Sequence, residues 1–139
     1  MSDVLVIIPT YNEIENISNI IDAVMKLADG FEVLVIDDAS PDGTQDAVRA
    51  KMEEYPGRVH METRKGKLGL GTAYIHGFRW ALAKGYEYVI EMDADFSHNP
   101  DDLPRLYHAC KDEGADMSIG SRYVSGVNVV NWPMGRVLM

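Results

Sequence analysis

Apolar and polar positions fall along this chain in blocks of two kinds. Short, mostly apolar runs at Val4 to Ile8 and Phe31 to Ile36 read as buried strands, Tyr86 to Met92 as a further strand, with a weaker run from Arg58 to Glu62 and a short one from Met117 to Gly120. Between them apolar residues recur at helical spacing. Ile14, Ile17, Ile21, Val24 and Met25 form one set. Ala47, Val48 and Met52 form another, within a helix from Asp42 to Tyr55, and Ala73, Phe78, Ala81 and Leu82 a third, within Leu70 to Lys84. Asn99-Pro100 opens a further helix, since asparagine caps well and proline suits the first turn. Strands alternating with helices predict an α/β fold, a mostly parallel sheet with helices on both faces. Ligands of such sheets bind beyond the carboxyl ends of the strands. That rule sets Thr10 to Glu13, Asp37 to Thr44 and Asp93 to His98 along one edge.

Composition narrows what can bind there. The chain has 139 residues, 46% of them apolar, enough for the core of one domain or part of one. A net charge of −9 disfavours nucleic acid, whose phosphates require a basic surface. It equally disfavours an anionic substrate unless a cation or local arginines assist. The single cysteine, Cys110, sits in a helical pattern and reads as a buried structural thiol. The first residues, MSDVLVIIPT, read as a strand and not as a signal peptide. No apolar run approaches the ~18 residues of a membrane-spanning helix. A cytoplasmic compartment is expected. From Arg122 to Met139 the chain is rich in Gly, Asn and Val without a clear closing element, so the domain is expected to be cut short.

Two strand ends carry the candidate chemistry. The Tyr88 to Met92 run ends abruptly in Asp93-Ala94-Asp95. Carboxylates two residues apart on an extended backbone point to one side. They repel each other unless a hard cation lies between them and something anionic, and magnesium takes one or two carboxylates with waters and phosphates. Capping of the next turn is the plainer alternative. Ser97 can supply a third oxygen, and His98 can order the turn. The second acidic end is Asp37-Asp38-Ala39-Ser40-Pro41-Asp42-Gly43-Thr44. Turn chemistry accounts for half of it, whereas Asp38 suits hydrogen bonds to a base or ribose. Thr10-x-x-Glu13 fits a capping box, with Tyr11 placed to stack on a base. Gly69-x-Gly71 lacks the third glycine of a dinucleotide fingerprint, where Tyr74 stands instead. Gly66 and Lys67 can bring a charge to the cleft. Arg122, just beyond the short fifth strand, is placed to fork onto phosphate oxygens, while Arg136 reads from spacing alone as a solvated arginine.

In this order and spacing PTYNE, DDASPDGT, LGLGTAYIHG, MDADFSH, GSRY and NWPMGR resemble the dolichol- or polyprenol-phosphate mannose synthases of glycosyltransferase family 2, with the GT-A fold. The resemblance covers almost the whole chain, and LGLGTAYIHG points to the mannose branch. It implies that Pro9, Tyr11, Glu13, Ile36 and Asp38 line a guanosine site. Asp93, Ala94 and Asp95 would be the D-x-D motif, with Asp93, Asp95 and Ser97 near Mg2+ or Mn2+. Arg122 and Arg136 would contact phosphates, and Asp93, Asp95 and Arg122 would serve catalysis.

The implied reaction moves mannose from GDP-mannose to a polyprenyl (dolichyl) monophosphate with inversion, at the cytoplasmic membrane face, to which the full-length protein would attach peripherally. The acceptor's second pKa is about 6, so it is largely dianionic at neutral pH and needs no strong base. The family's catalytic domain normally continues further. Residues 1–139 are therefore expected to be the nucleotide-sugar part of a C-terminally truncated GT-A domain, with 121–139 starting the acceptor and phosphate side. Alone they are expected to bind donor poorly and to have little or no synthase activity. The alternatives are a UDP-glucose-dependent relative and, more remotely, a phospho-receiver signalling domain, although receivers carry their acidic pair after the first strand.

Overall fold

The computed structural model describes residues 2–120 and 127–129 and divides into two compact units, Met1–Asp101 and Asp102–Met139. The first contains β1 (Val4–Thr10), α1 (Ile17–Met25), β2 (Glu32–Asp37), α2 (Thr44–Glu54), β3 (Val59–Thr63), α3 (Leu70–Lys84) and β4 (Tyr88–Glu91). The strands form one sheet in the order β3-β2-β1-β4, every pairing parallel. β1 and β2 are flanked on both sides, and Val4 to Ile8 and Val33 to Ile36 are fully buried, which explains their unbroken apolar runs. β3 and β4 are the edges: past Val59 every position of β3 is at least partly exposed, and β4 alternates between half-buried and exposed positions.

Chain order sets which helix covers which face. The sheet grows from β1 to β2 to β3 in one direction and then steps back across to β4. With right-handed crossovers, α1 and α2 lie on one face and α3 on the other. On the α3 face Leu5, Ile7, Leu34 and Ile36 pack with Ala73, Ala81 and Tyr86. Gly77 allows the close approach: a Cβ there would stand 2.8 Å from Cγ2 of Ile7. That contact sets the height of α3 above β1, and with it the position of the helix's first turn at the sheet edge.

In the second unit α4 (Leu103–Lys111) packs on β5 (Ser118–Gly120) and β6 (Val127–Val129). β5 and β6 pair antiparallel as a two-stranded sheet of their own. The sequence pattern marks β5 but not β6. The Ser118 hydroxyl donates to the Leu106 carbonyl (2.8 Å), and the Cys110 thiol, only partly buried, lies 3.8 Å from the same hydroxyl. Asn99 caps as expected, its Oδ1 accepting from the Asp101 N–H (3.0 Å), but the turn it caps is a 3-10 turn at Pro100–Asp102, and α4 begins only at Leu103.

Candidate functional site

The order β3-β2-β1-β4 puts the topological switch between β1 and β4, the place where parallel sheets open a crevice. The register shows the opening. β1 follows β2 up to Thr10↔Asp37, but its pairing with β4 ends at Ile7↔Glu91. The carbonyls of Ile7 and Thr10 accept from Met92 on the β4 side and from Asp38 on the β2 side. By strand alternation Pro9 turns its nitrogen toward the β4 side, past the last rung, where a proline leaves no N–H unpaired. The resulting cleft, about 270 Å³, is lined by Pro9, Thr10, Tyr11, Glu13, Asp38, Lys67, Gly69, Leu70, Ala73, Asp93, Ala94 and Asp95.

The loops after β1 and β2 brace one another. The backbone N–H groups of Asn12, Glu13 and Ile14 donate to Ser40 Oγ (2.9 Å), Thr44 Oγ1 (3.0 Å) and Asp42 Oδ2 (3.2 Å). Asn12 and Ala39 take left-handed backbone conformations to permit this, with φ of 56° and 55°. The capping-box reading of Thr10 and Glu13 is therefore corrected. Thr10 is still in β1 and donates its hydroxyl to Asp37 Oδ1 (2.6 Å), while Asn16 precedes α1 without a side-chain cap. DDASPDGT is thus mainly the support that holds TYNE in place.

The adjacent acids Asp37 and Asp38 have separate tasks. Asp37 is fully buried and accepts from Thr10 and Ser40 hydroxyls, the Ser40 N–H and the Gln45 amide. Burial pushes its carboxyl up, yet these donors hold it below its ordinary value. Asp38 lines the cleft and forms a two-pronged ion pair with Arg64, at 2.7 Å to Nε and 2.8 Å to Nη2. Arg64 also reaches Thr72 Oγ1 (2.8 Å) and the Gly69 carbonyl (3.2 Å), so it fastens the β3–α3 loop to Asp38. The sequence pattern does not mark Arg64. Its signal is position: it directly follows a strand on the ligand edge, but that strand's pattern is too weak to fix where it ends.

Ile36 is placed differently from the other residues expected around a nucleotide. Its side chain is wholly inside the α3-side core and does not line the cleft, because alternation along β2 sends it under Ala73. Pro9, Tyr11, Glu13, Asp38, Asp93 and Ala94 are brought together. Arg122 and Arg136 lie outside the described residues.

The D-x-D turn presents its acids toward Glu13. Asp93 Oδ1 accepts from the Tyr74 hydroxyl (3.3 Å), a second partner that sequence reasoning misses, one turn into α3. Burial and the Asp93 charge push the Tyr74 phenol up, so it remains a donor. The Ser97 N–H donates to Asp95 Oδ1 (3.0 Å) and the Ser97 hydroxyl to Asp93 Oδ2 (3.4 Å). Ser97 and its hydrogen bonds hold the Asp95 carboxyl below the ordinary range. His98 accepts the Asp93 N–H at Nδ1 (3.2 Å), the turn-ordering role considered for it. Phe96, at φ 62°, makes the tight return possible.

Glu13 responds to this company. Burial first, then the charges of Asp95, Asp42 and Asp93, push its carboxyl up. None of Glu13, Asp93 and Asp95 forms an ion pair among the described residues. Nor, among those residues, do three or more metal-ligating side chains converge on a point. The donor set is thus a partial oxygen site, two carboxylates at a cleft mouth. It fits a hard divalent ion that keeps waters and takes phosphate oxygens, and not a closed protein cage.

Comparison with known proteins points the same way. The family model described as "Glycosyl transferase family 2" matches residues 5–138. The chain is 50% identical over 135 residues to a polyprenol monophosphomannose synthase of Mycolicibacterium smegmatis, covering 97% of this chain and 51% of that protein. It is also 50% identical over 136 residues to an undecaprenyl-phosphate mannosyltransferase of Micrococcus luteus, covering 98% and 55%. The chain spans about half the length of these relatives. Among solved structures, a mannosyltransferase of Pyrobaculum calidifontis in complex with GDP-Man and Mn2+ superposes with a TM-score of 0.66 and 32% identity, over 76% of this chain and 31% of that one.

Proposed function

The chain belongs to glycosyltransferase family 2, and from that premise we propose that it forms the donor-binding part of an enzyme moving mannose from GDP-mannose to a polyprenyl monophosphate. The observation that carries this reading is the set of cleft carboxylates without cationic partners among the described residues, Glu13, Asp93 and Asp95, at the switch point of a parallel sheet. Self-repelling acids at a ligand edge favour a divalent ion and a diphosphate over an empty, solvated cleft. The relatives' names supply the sugar and the lipid class, and the Pyrobaculum complex supplies the nucleotide and a metal.

In this reading Tyr11, exposed at the cleft, stacks on guanine, and Asp38, steadied by Arg64, accepts hydrogen bonds from the nucleoside. Pro9, Glu13 and Ala94 shape the floor, with Ile36 contributing only through its backbone. Asp93 and Asp95 hold Mg2+ or Mn2+, with Ser97 ordering the turn that aims them. A divalent ion held there would supply charge compensation for the departing diphosphate. Arg122 and Arg136 are assigned to phosphate contacts. Asp93 is held by Tyr74 and Ser97 as an acceptor, which suits positioning more than proton transfer. The acceptor phosphate attacks without a base, being already largely dianionic above its second pKa of about 6. No helix among the described residues is long and apolar enough to cross a membrane. We assign the complete enzyme to peripheral attachment at the cytoplasmic membrane face. Calorimetric titration of GDP and of UDP in the presence of Mg2+ tests the donor class. GDP should bind at least about tenfold more tightly, a difference of ~1.4 kcal/mol, and a preference for UDP would overturn the assignment.

A further inference from the structure

Lys67 is the only lysine or arginine among the described residues that line the cleft. Although four carboxylates share that cleft, Glu13, Asp38, Asp93 and Asp95, its ammonium forms no ion pair among the described residues and stands over the Tyr11 ring, 5.1 Å from the centroid. Tyr11 is 39% exposed, and the lysine covers part of what would otherwise be an open aromatic face. The loop that carries Lys67 is held at both ends, where the Arg64 N–H donates to the Asp37 carbonyl (2.8 Å) and the Thr72 hydroxyl to the Leu68 carbonyl (2.9 Å). Arg64 grips the Gly69 carbonyl, and Gly69 itself, at φ +102°, takes a backbone conformation that favours glycine. At Gly66 an added Cβ would meet nothing within 4 Å, and Lys65, Lys67 and Leu68 are exposed.

We propose that Lys67 is a donor-positioning residue that exchanges partners when a nucleoside diphosphate enters. In the free cleft its ammonium occupies the Tyr11 face. On binding, the base takes that face and the ammonium swings to the phosphate oxygens. The exchange is favourable because a cation–π contact at an exposed ring is weak, whereas an ammonium–phosphate hydrogen bond is charge-assisted. The flexible four-carbon stem of lysine allows the swing without moving the anchored ends of the loop. The acids that repel a diphosphate thus have a counter-charge of the chain's own, kept off them by the aromatic ring until the ligand arrives. The inference rests on the proposed nucleotide site.

The test is calorimetric titration of guanosine and of GDP, at fixed Mg2+, into the wild-type chain and the Lys67→Met and Lys67→Arg variants. The expected result is that Lys67→Met weakens GDP about tenfold, leaves guanosine unchanged or slightly tighter because the ring is no longer covered, and is rescued for GDP by Lys67→Arg. Unchanged GDP affinity in Lys67→Met, or an equal loss of guanosine and GDP, would overturn this inference while leaving the nucleotide site standing. Wild-type protein that binds neither ligand would overturn the nucleotide site and this inference together.

Discussion

The two ends of the four-stranded sheet treat the same functional group in opposite ways. At the amino ends, Glu32 is buried and its carboxylate accepts from the Ser2 N–H, His60 Nε2 and the Tyr86 hydroxyl. Burial pushes its carboxyl up, and these donors bring it below the ordinary 4.5. At the carboxyl ends, Glu13 faces Asp93 and Asp95 and is driven above the same 4.5 by burial and by their charge. One glutamate is satisfied by donors aimed at it, and the other has no cationic partner among the described residues. Asp37 shows that the end of the sheet alone does not decide the matter. It lies on the ligand edge, yet its donors make it a structural acid like Glu32. The number of donors aimed at a carboxylate, and not its end of the sheet, is what distinguishes these acids.

The largest effect is expected at the closed end. Glu32→Ala leaves the Tyr86 hydroxyl and the Ser2 N–H without their acceptor, so urea unfolding should show a loss of about 3 kcal/mol. Nucleotide affinity, far along the strands, should change less than twofold. Asp37→Asn turns an acceptor into a donor facing other donors and should cost about 2 kcal/mol in the same measurement. A comparable loss of nucleotide affinity at unchanged stability, in either variant, would contradict the division.

The smallest expected effect is on pH dependence, and its sign differs between the ends. The folded-state pKa of Glu32 lies below its unfolded value, so its contribution is complete above about 4.5 and is lost as the pH falls through the folded pKa. Glu13 has a raised folded-state pKa, so its ionised form penalises the fold at neutral pH, and the penalty fades as the pH falls toward 4.5. Thermal unfolding of Glu13→Gln should therefore give a slightly higher Tm than wild type at neutral pH. The gap should close on acidification and vanish below about 4.5. A gap that widens on acidification would show that Glu13 is paired and not repelled.

Much of this is legible in the sequence, for identifiable reasons. β1 and β2 are flanked on both sides, so their apolar runs are unbroken and their ends lie within two residues of the expected ones. The pattern marks α3 as Leu70 to Lys84, the bounds the structure gives. Asp93, Asp95 and Asp38 stand out because an acid closing an apolar strand is costly there unless something binds it. What is not legible depends on contacts distant in sequence. Arg64 is meaningful only once Asp38 lies beside it, and Tyr74 only once α3 brings it to Asp93. Ile36 enters by resemblance, but the alternation of β2 turns its side chain into the core. β6 has too short a run to read, and Thr10-x-x-Glu13 matches a cap in spacing while the strand still contains its first residue.

The claim on which the rest depends is that the acids of the open end accept a diphosphate only through a cation. Isothermal titration of GDP-mannose with and without Mg2+, repeated on Asp95→Asn, tests it most directly. Binding should require the metal and fall about a hundredfold or more in the variant, a change of ~2.7 kcal/mol. Equal binding with and without Mg2+, unaltered by the substitution, would contradict it.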